Sequence, residues 1–429
     1  MRQQSASPNI TVRAVSGAEG YRLELKGAGD PKPLHLPIHE PQVLRSNHAR
    51  FNSALERAKT VWRSDGALSA QRAGAALLEL ADAGRTLLTR ALVWPTESLP
   101  ELHDGMRRWC PSLRLENGRI PLLYIEPGAA QFLPWEVLPL FDLNWDGSTP
   151  DLNSLREAAL AFPGFGAVVE RGLVSATTAQ SPCLTTENGR LPIRFLWDAK
   201  YPGAQGELGF FRSRPVIRLE GPSPADGDPL PGPETMARHI ADPGLGLDGR
   251  AVEHPYQILH MSCHCVARPG DGRGDPGDFS FHLATEEGES VEIPVEKILG
   301  KLALHWTDRA RRTADKPFVF LNACATSVYD PWSLASVLEP FHKNQNRGVI
   351  TTAANLPDRL ADGFSRRFYH ALLTGATAGE ALHAAKWHLL DTMRDPTGLL
   401  YCLHGVSSLQ VAPLPSVPAA VGDTTLTRT

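Results

Sequence analysis

Short apolar runs that break off at a reactive side chain form the most informative pattern in this chain. Tyr256–Cys265 reads Tyr-Gln-Ile-Leu-His-Met-Ser-Cys-His-Cys, and Pro317–Ser327 reads Pro-Phe-Val-Phe-Leu-Asn-Ala-Cys-Ala-Thr-Ser. Runs of this length, bounded by small or polar residues, suit buried strands of a parallel sheet. In open α/β sheets the chemistry collects at the carboxyl edge of such strands. The first run delivers His264 to that edge, where strand is expected to give way to loop. The second delivers Cys324. A period of two puts His260, Ser262 and His264 on one face of the first strand, with Met261, Cys263 and Cys265 on the other. His260 lies deeper and reads as a buried, structural histidine.

The remaining pattern is mixed. Ile10–Val15 and Tyr21–Lys26 alternate apolar and polar around Ser16-Gly17-Ala18-Glu19-Gly20, a hairpin signal. Residues 27–48, rich in Pro and His, read as loop. Phe51–Trp62 and Ser69–Val93 carry helical spacing, with Ser69 placed to cap the second helix. Strands are expected at Ile120–Ile125, Phe165–Leu173, Ile193–Trp197, Val216–Leu219, Phe279–Thr285 and Gly348–Ala353. A short helix is expected around Leu155–Phe162, and a strand followed by a helix within Val291–Leu304. Asp358–Leu373 and Ala378–Met393 predict two long helices, and Leu399–Val411 a closing strand. Residues 221–250, dense in Pro, Gly and Asp, read as a linker or a lid. Arg268–Asp278 alternates Asp with Gly, but its spacing does not fit a calcium-binding loop, so it reads as solvated loop. Residues 412–429 read as a flexible tail.

Composition narrows the class. The chain has 429 residues, 42% hydrophobic and 21% charged, as in an ordinary globular protein. A net charge of −4 gives no electrostatic case for nucleic acid. The N-terminus lacks the apolar core of a signal peptide, and no apolar run is long enough to span a bilayer. Six cysteines (Cys110, Cys183, Cys263, Cys265, Cys324 and Cys402) are too few for a disulfide framework in a chain this long. A reducing, cytoplasmic compartment is expected, and it would suit a thiolate nucleophile.

Histidine and cysteine at the ends of neighbouring strands make a thiolate–imidazole pair, the chemistry of a cysteine protease. The bland alternative is a buried, inert thiol, since free cysteine is among the most buried residue types. The tight cluster His260, Cys263, His264 and Cys265 also admits a zinc reading. Strand alternation weighs against that reading, because His264 and Cys265 point to opposite faces.

The motifs resemble those of CHAT-domain proteases (caspase HetF associated with TPRs), a caspase-like group similar also to separase. Ile258-Leu259-His260-Met261-Ser262-Cys263-His264 matches the family's histidine strand, and Leu321-Asn322-Ala323-Cys324 its nucleophile strand. Leu133-Pro134-Trp135-Glu136-Val137-Leu138, Gly348-Val349-Ile350-Thr351-Thr352 and Gly379-Glu380-Ala381-Leu382 through Lys386 follow in family order. The likeness spans roughly residues 115–411. It implies an α/β fold, a caspase-like, mostly parallel sheet flanked by helices. The expected layout has an N-terminal hairpin and helical portion over 1–109, a degenerate first half over 110–185 and a catalytic half over 186–411. It implies a cysteine endopeptidase using His264 and Cys324, with the backbone N–H groups of Cys265 and Cys324 holding the oxyanion and no cofactor. The family usually has Gly where Cys265 stands, and Gly takes positive φ without strain. By analogy with separase, Asp358 or the neutral Asn355 would line the specificity pocket; for Asp358 the reading as a helix cap comes first. The implied partners are a protein substrate, gasdermin-like or another effector, and an activating partner, messenger or upstream protease, in an antiphage or cell-death pathway. The competing function is a non-catalytic interaction module on the same fold.

Overall fold

The computed structural model describes residues 8–18, 20–62, 69–110, 120–141, 151–173, 181–225, 227, 229–267, 279–306, 316–324, 331–353, 356 and 358–414. Among them, thirteen strands join into one sheet. β1 (Ile10–Gly17), β2 (Gly20–Gly27) and β3 (Leu34–Ile38) form an antiparallel meander at one end. Helices α1 (Pro41–Trp62), α2 (Ala70–Ala91) and α3 (Pro95–Trp109) follow. β4 (Leu122–Ile125) runs parallel to β1 and to β5 (Val168–Arg171), with α4 (Leu152–Ala159) and the one-turn α5 (Pro163–Gly166) between them. The N-terminal hairpin therefore extends the same sheet that carries the later strands.

The second half supplies β6 (Cys183–Leu184), β7 (Leu191–Trp197), α6 (Pro202–Arg212), β8 (Ile217–Ser223), α7 (Pro233–Ala241) and β9 (Ile258–Ala267). β10 (Phe279–Ala284), β11 (Ser290–Pro294), α8 (Val295–Trp306) and β12 (Phe318–Cys324) come next. The chain then forms α9 (Pro331–Lys343), β13 (Gly348–Thr352), α10 (Asp358–Leu373), α11 (Ala378–Met393), β14 (Tyr401–Gly405) and β15 (Gln410–Val411). The strand order is β11-β10-β9-β12-β13-β14-β5-β4-β1-β2-β3, with β15 and β6 paired separately. Parallel pairings dominate the middle; antiparallel ones lie mainly toward the ends. No helix among the described residues is long and apolar enough to cross a membrane.

The central strands are apolar because both faces are covered. Ile258, Phe318 and Phe320 face a core shared with α6, α10 and α11. Leu259, Met261, Cys263, Val319 and Leu321 face a second core built with α7, α8 and α9. The split of the histidine strand into two chemically different faces follows the two-residue period read from the sequence.

Several elements depart from the sequence reading. Residues 27–48 contain β3 and the start of α1; Leu36 and Ile38 alternate into the core, a signal masked by Pro37 and the neighbouring histidines. The stretch 221–250 contains helix α7, whose Met236, Ala237 and Ile240 fill the second core, so that part is neither lid nor linker. Helices α3 and α9 were not anticipated. Each carries an internal proline, Pro100 or Pro340, which weakens a helical pattern on paper. Residues 268–278 and 415–429 lie outside the described residues.

Candidate active site

Register decides the geometry here. β9 and β12 run parallel from Ile258↔Phe318 through to His264↔Cys324. Residues opposed in a ladder share a face, on strands about 4.8 Å apart. His264 and Cys324, 60 positions apart in the chain, therefore become neighbours at one level of one sheet. His282 of β10 is opposed to His264 on its other side and extends this row, a juxtaposition that only the strand register reveals.

His264 does not end its strand. β9 continues to Ala267 because β10 returns antiparallel and pairs Phe279–His282 with Ala267–His264. The expected handover to loop after His264 is therefore corrected. Cys265 lies within that ladder, opposed to Phe281, and is buried. It is absent from the positive-φ non-glycine positions among the described residues, Asn188, Gln345 and Arg394, so a side chain there carries no left-handed strain. Backbone alternation also fixes where its N–H points. The Gln257 carbonyl accepts from Phe318 N toward β12, whereas the Ser262 carbonyl accepts from Asp198 N toward β7. Cys265 has the opposite parity to Ser262, so regular alternation aims its N–H to the β12 side, one residue beyond the Cys324 level.

The flank of β9 opposite β12 is shared by two strands. β7 runs parallel beside Ile258–Ser262, and β10 takes over antiparallel from His264. This changeover is a topological switch point, where ligand sites are expected. β7 ends there in Asp198, which bridges to Ala284 of β10. Asp198 Oδ2 stands 4.0 Å from His264 Nε2; the carboxylate is 9% exposed and the imidazole 48%. Asp198 Oδ1 accepts from Lys200 N at 3.0 Å, which fixes the carboxylate. The Tyr201 ring meets His264 edge-on, with centroids 4.9 Å apart. Asp198 directly follows the expected strand Ile193–Trp197, and nothing in the sequence assigns it a role at the site.

Below this level the shared face is polar and organised around one carboxylate. Glu207 of α6 accepts from Asn322 Nδ2 at 2.6 Å and meets His260 Nε2 at 3.1 Å. Tyr401 Oη donates to Asn322 Oδ1 at 2.9 Å, and Tyr369 Oη lies 3.0 Å from His260 Nδ1. Burial pushes the Tyr369 phenol well above its ordinary range, so it stays an O–H donor. One assignment satisfies the whole chain: Tyr369 O–H to Nδ1, His260 Nε2–H to Glu207, and Tyr401 O–H to Asn322, whose amide donates to Glu207. Burial alone would raise the Glu207 carboxyl, but the adjacent His260 outweighs it and holds Glu207 below the usual range. His260 and Asn322 stand four and two residues before His264 and Cys324, so the network fixes the two strands just beneath the candidate pair. His260 is thus structural, as expected.

The zinc reading does not assemble. His260 spends both ring nitrogens on Tyr369 and Glu207, while Cys263 and Cys265 face the opposite core. Among the described residues no group of three His, Cys, Asp or Glu side chains is placed to hold a metal. Cys110 and Cys402 are poor nucleophiles, since burial pushes their thiols up to about 11 and about 12. Asp358 opens α10, and Asn355 lies outside the described residues.

The upstream motif has a structural task. Trp135 is fully buried and its Nε1 donates to Ala130 O at 2.7 Å. Glu136 accepts from Arg171 Nε of β5 at 3.0 Å, and the same guanidinium donates to Gln131 O and Leu133 O. Burial would raise Glu136, but Arg171 overrides it and holds the carboxyl low. Lys386, from the Gly379–Lys386 motif, is buried beside this pair. Two segments far apart in sequence therefore meet around one ion pair, away from His264.

The CHAT domain family model matches residues 247–413. The CHAT match includes both strands that bring His264 and Cys324 together, and it begins downstream of the Trp135 segment. Over 106 residues, 24% of the chain, the sequence is 32% identical to a probable protease of Vitiosangium sp. (strain GDMCC 1.1324). The aligned part covers 14% of that relative's length. Two crystal structures of the Saccharomyces cerevisiae separase–securin complex align over 94% of this chain and 30% of theirs. Their TM-scores are 0.45 and 0.44, at 9% and 10% identity.

Proposed function

We propose that the protein is a cysteine endopeptidase in which Cys324 is the nucleophile and His264 the general acid–base. The observation that carries this reading is the ladder register opposing His264 to Cys324 at the carboxyl edge of two parallel strands. Such an edge presents a nucleophile and its base from rigid elements, as covalent catalysis needs.

The imidazole of His264 takes the proton of the Cys324 thiol, and the thiolate attacks the substrate carbonyl carbon. The negative charge passes to the carbonyl oxygen, which the N–H groups of Cys265 and Cys324 receive. Collapse of this intermediate breaks the C–N bond as the imidazolium gives its proton to the departing amine. His264 then deprotonates water, which attacks the thioester and releases the carboxylic acid and the thiol. Asp198 holds the ring's orientation, as the third group behind a nucleophile–base pair commonly does. Its 4.0 Å separation is wider than a hydrogen bond, and such contacts tighten when substrate binds. Asp358 at the start of α10 is the candidate specificity residue, favouring Arg or Lys before the cut.

Family analogy supports a cytoplasmic protein substrate, such as a gasdermin-like effector, and an antiphage or cell-death setting with control by a partner or upstream protease. The test is co-expression of wild type and Cys324→Ala with the proteins encoded beside it, read by mass spectrometry. Fragments seen only with wild type support the proposal and give the residue before the cut. Labelling of Cys324 by a peptide electrophile in wild type, lost in His264→Ala, supports it when no substrate is at hand; equal labelling in both contradicts it.

A further inference from the structure

In the helical layer that covers the His260 face of the sheet lies a cavity of about 240 Å³ lined by Phe210, Arg214, Gly363, Arg366, Arg367, His370 and His388. Its walls come from the end of α6, one face of α10, and α11. On α10 the residues fall at i, i+3, i+4 and i+7 (Gly363, Arg366, Arg367, His370), a single helical stripe. A side chain at Gly363 would meet only Leu389 Cδ2, at 4.0 Å, so the glycine leaves the floor open.

The charge in this cavity is one-sided. Three guanidiniums face it, and one of them, Arg366, is paired with a carboxylate, Asp362, 3.3 Å from its Nη1. Burial raises Asp362 to about 6, which leaves one carboxylate against three guanidiniums. Arg214 lies over the Phe210 ring at 4.8 Å. The Nε atoms of Arg214 and Arg367 are closed off from water and have no hydrogen-bond partner among the described residues. Burial and then Arg367 lower the proton affinity of His388, with Arg366 adding to them and Asp391 opposing. Like charges are gathered around an empty, half-desolvated space, an arrangement that costs free energy unless an anion enters.

We propose that this cavity binds a small phosphate-bearing molecule. One guanidinium fork already satisfies a carboxylate's two oxygens, whereas three forks from separate walls call for a group with more acceptor oxygens. The volume exceeds a single phosphate, and the Phe210 face leaves room for an attached organic group. Binding ties α6 to α10, the two helices that also hold Glu207 and Tyr369 against His260. This assignment does not depend on the peptidase reading.

Calorimetric titration of the full chain with pyrophosphate tests it, with inorganic phosphate and malonate as comparisons. Pyrophosphate should bind saturably and lose affinity as salt rises; phosphate should bind more weakly, and malonate more weakly still. Arg367→Gln should weaken pyrophosphate at least tenfold, the loss of a charge-assisted fork. Arg214→Gln, from the opposite wall, should do the same and serves if the first variant misfolds. The absence of saturable binding, unchanged affinity in the folded variants, or malonate binding as tightly as pyrophosphate would overturn the proposal.

Discussion

Replacing Glu207 with Gln should destabilise the protein by about 2 kcal/mol at pH 7, and the reasoning can be followed donor by donor. The carboxylate accepts from both Asn322 and His260. A glutamine keeps one acceptor oxygen and turns an N–H toward the other donor. Flipping the Asn322 amide does not help, because it only passes the orphaned hydrogen on to Tyr401. An orphaned buried donor costs about 1–3 kcal/mol, and the surviving bond drops from a charged to a neutral acceptor, roughly 1 kcal/mol more. The relief of not burying a charge offsets part of this. Urea unfolding followed by tryptophan fluorescence reads the difference. The sign with pH is also fixed. A carboxyl held low in the folded state stabilises it above the unfolded value, and that contribution fades as pH falls toward the folded value. The gap between wild type and Glu207→Gln should therefore narrow on acidification. A gap under about 0.5 kcal/mol at pH 7, or one that widens in acid, would refute the paired-network account.

Two further outcomes are expected. Asp198→Asn should lower kcat by about 10- to 100-fold with little change in KM; an unaltered kcat would reduce Asp198 to a structural turn residue. Arg171→Met should cost about 3–5 kcal/mol by leaving Glu136 buried without its main partner, toward the lower figure because Lys386 is near. Thermal unfolding checks this, and an unchanged transition would mean that water, not Arg171, compensates Glu136.

How much of this was legible in the sequence depends on what each residue answers to. The histidine and nucleophile strands were readable because both sheet faces are buried, which forces continuous apolar runs that end at polar residues. The two-residue period placed His260 and His264 correctly relative to Cys263 and Cys265. Register was not readable: nothing in either run says that His264 faces Cys324 rather than a position two residues away. Asp198 escaped notice because its role arises where β7 yields to β10 beside β9, a junction made of three separated segments. Glu207 and Tyr369 were hidden for a similar reason, each appearing as one polar residue on an otherwise ordinary helix. The pairing of Glu136 with Arg171 likewise joins residues whose contact only the sheet order reveals. Helix α7 was missed because Pro and Gly on both sides of Met236–Ile240 outweighed one short apolar stripe.

The central claim is that His264 and Cys324 act as one catalytic pair. Its most direct measurement is cleavage of a co-expressed protein substrate by wild type, Cys324→Ala and His264→Ala, with each variant's fold verified by circular dichroism. The account predicts fragments with wild type and none with either folded variant. Fragments that persist in Cys324→Ala would contradict it.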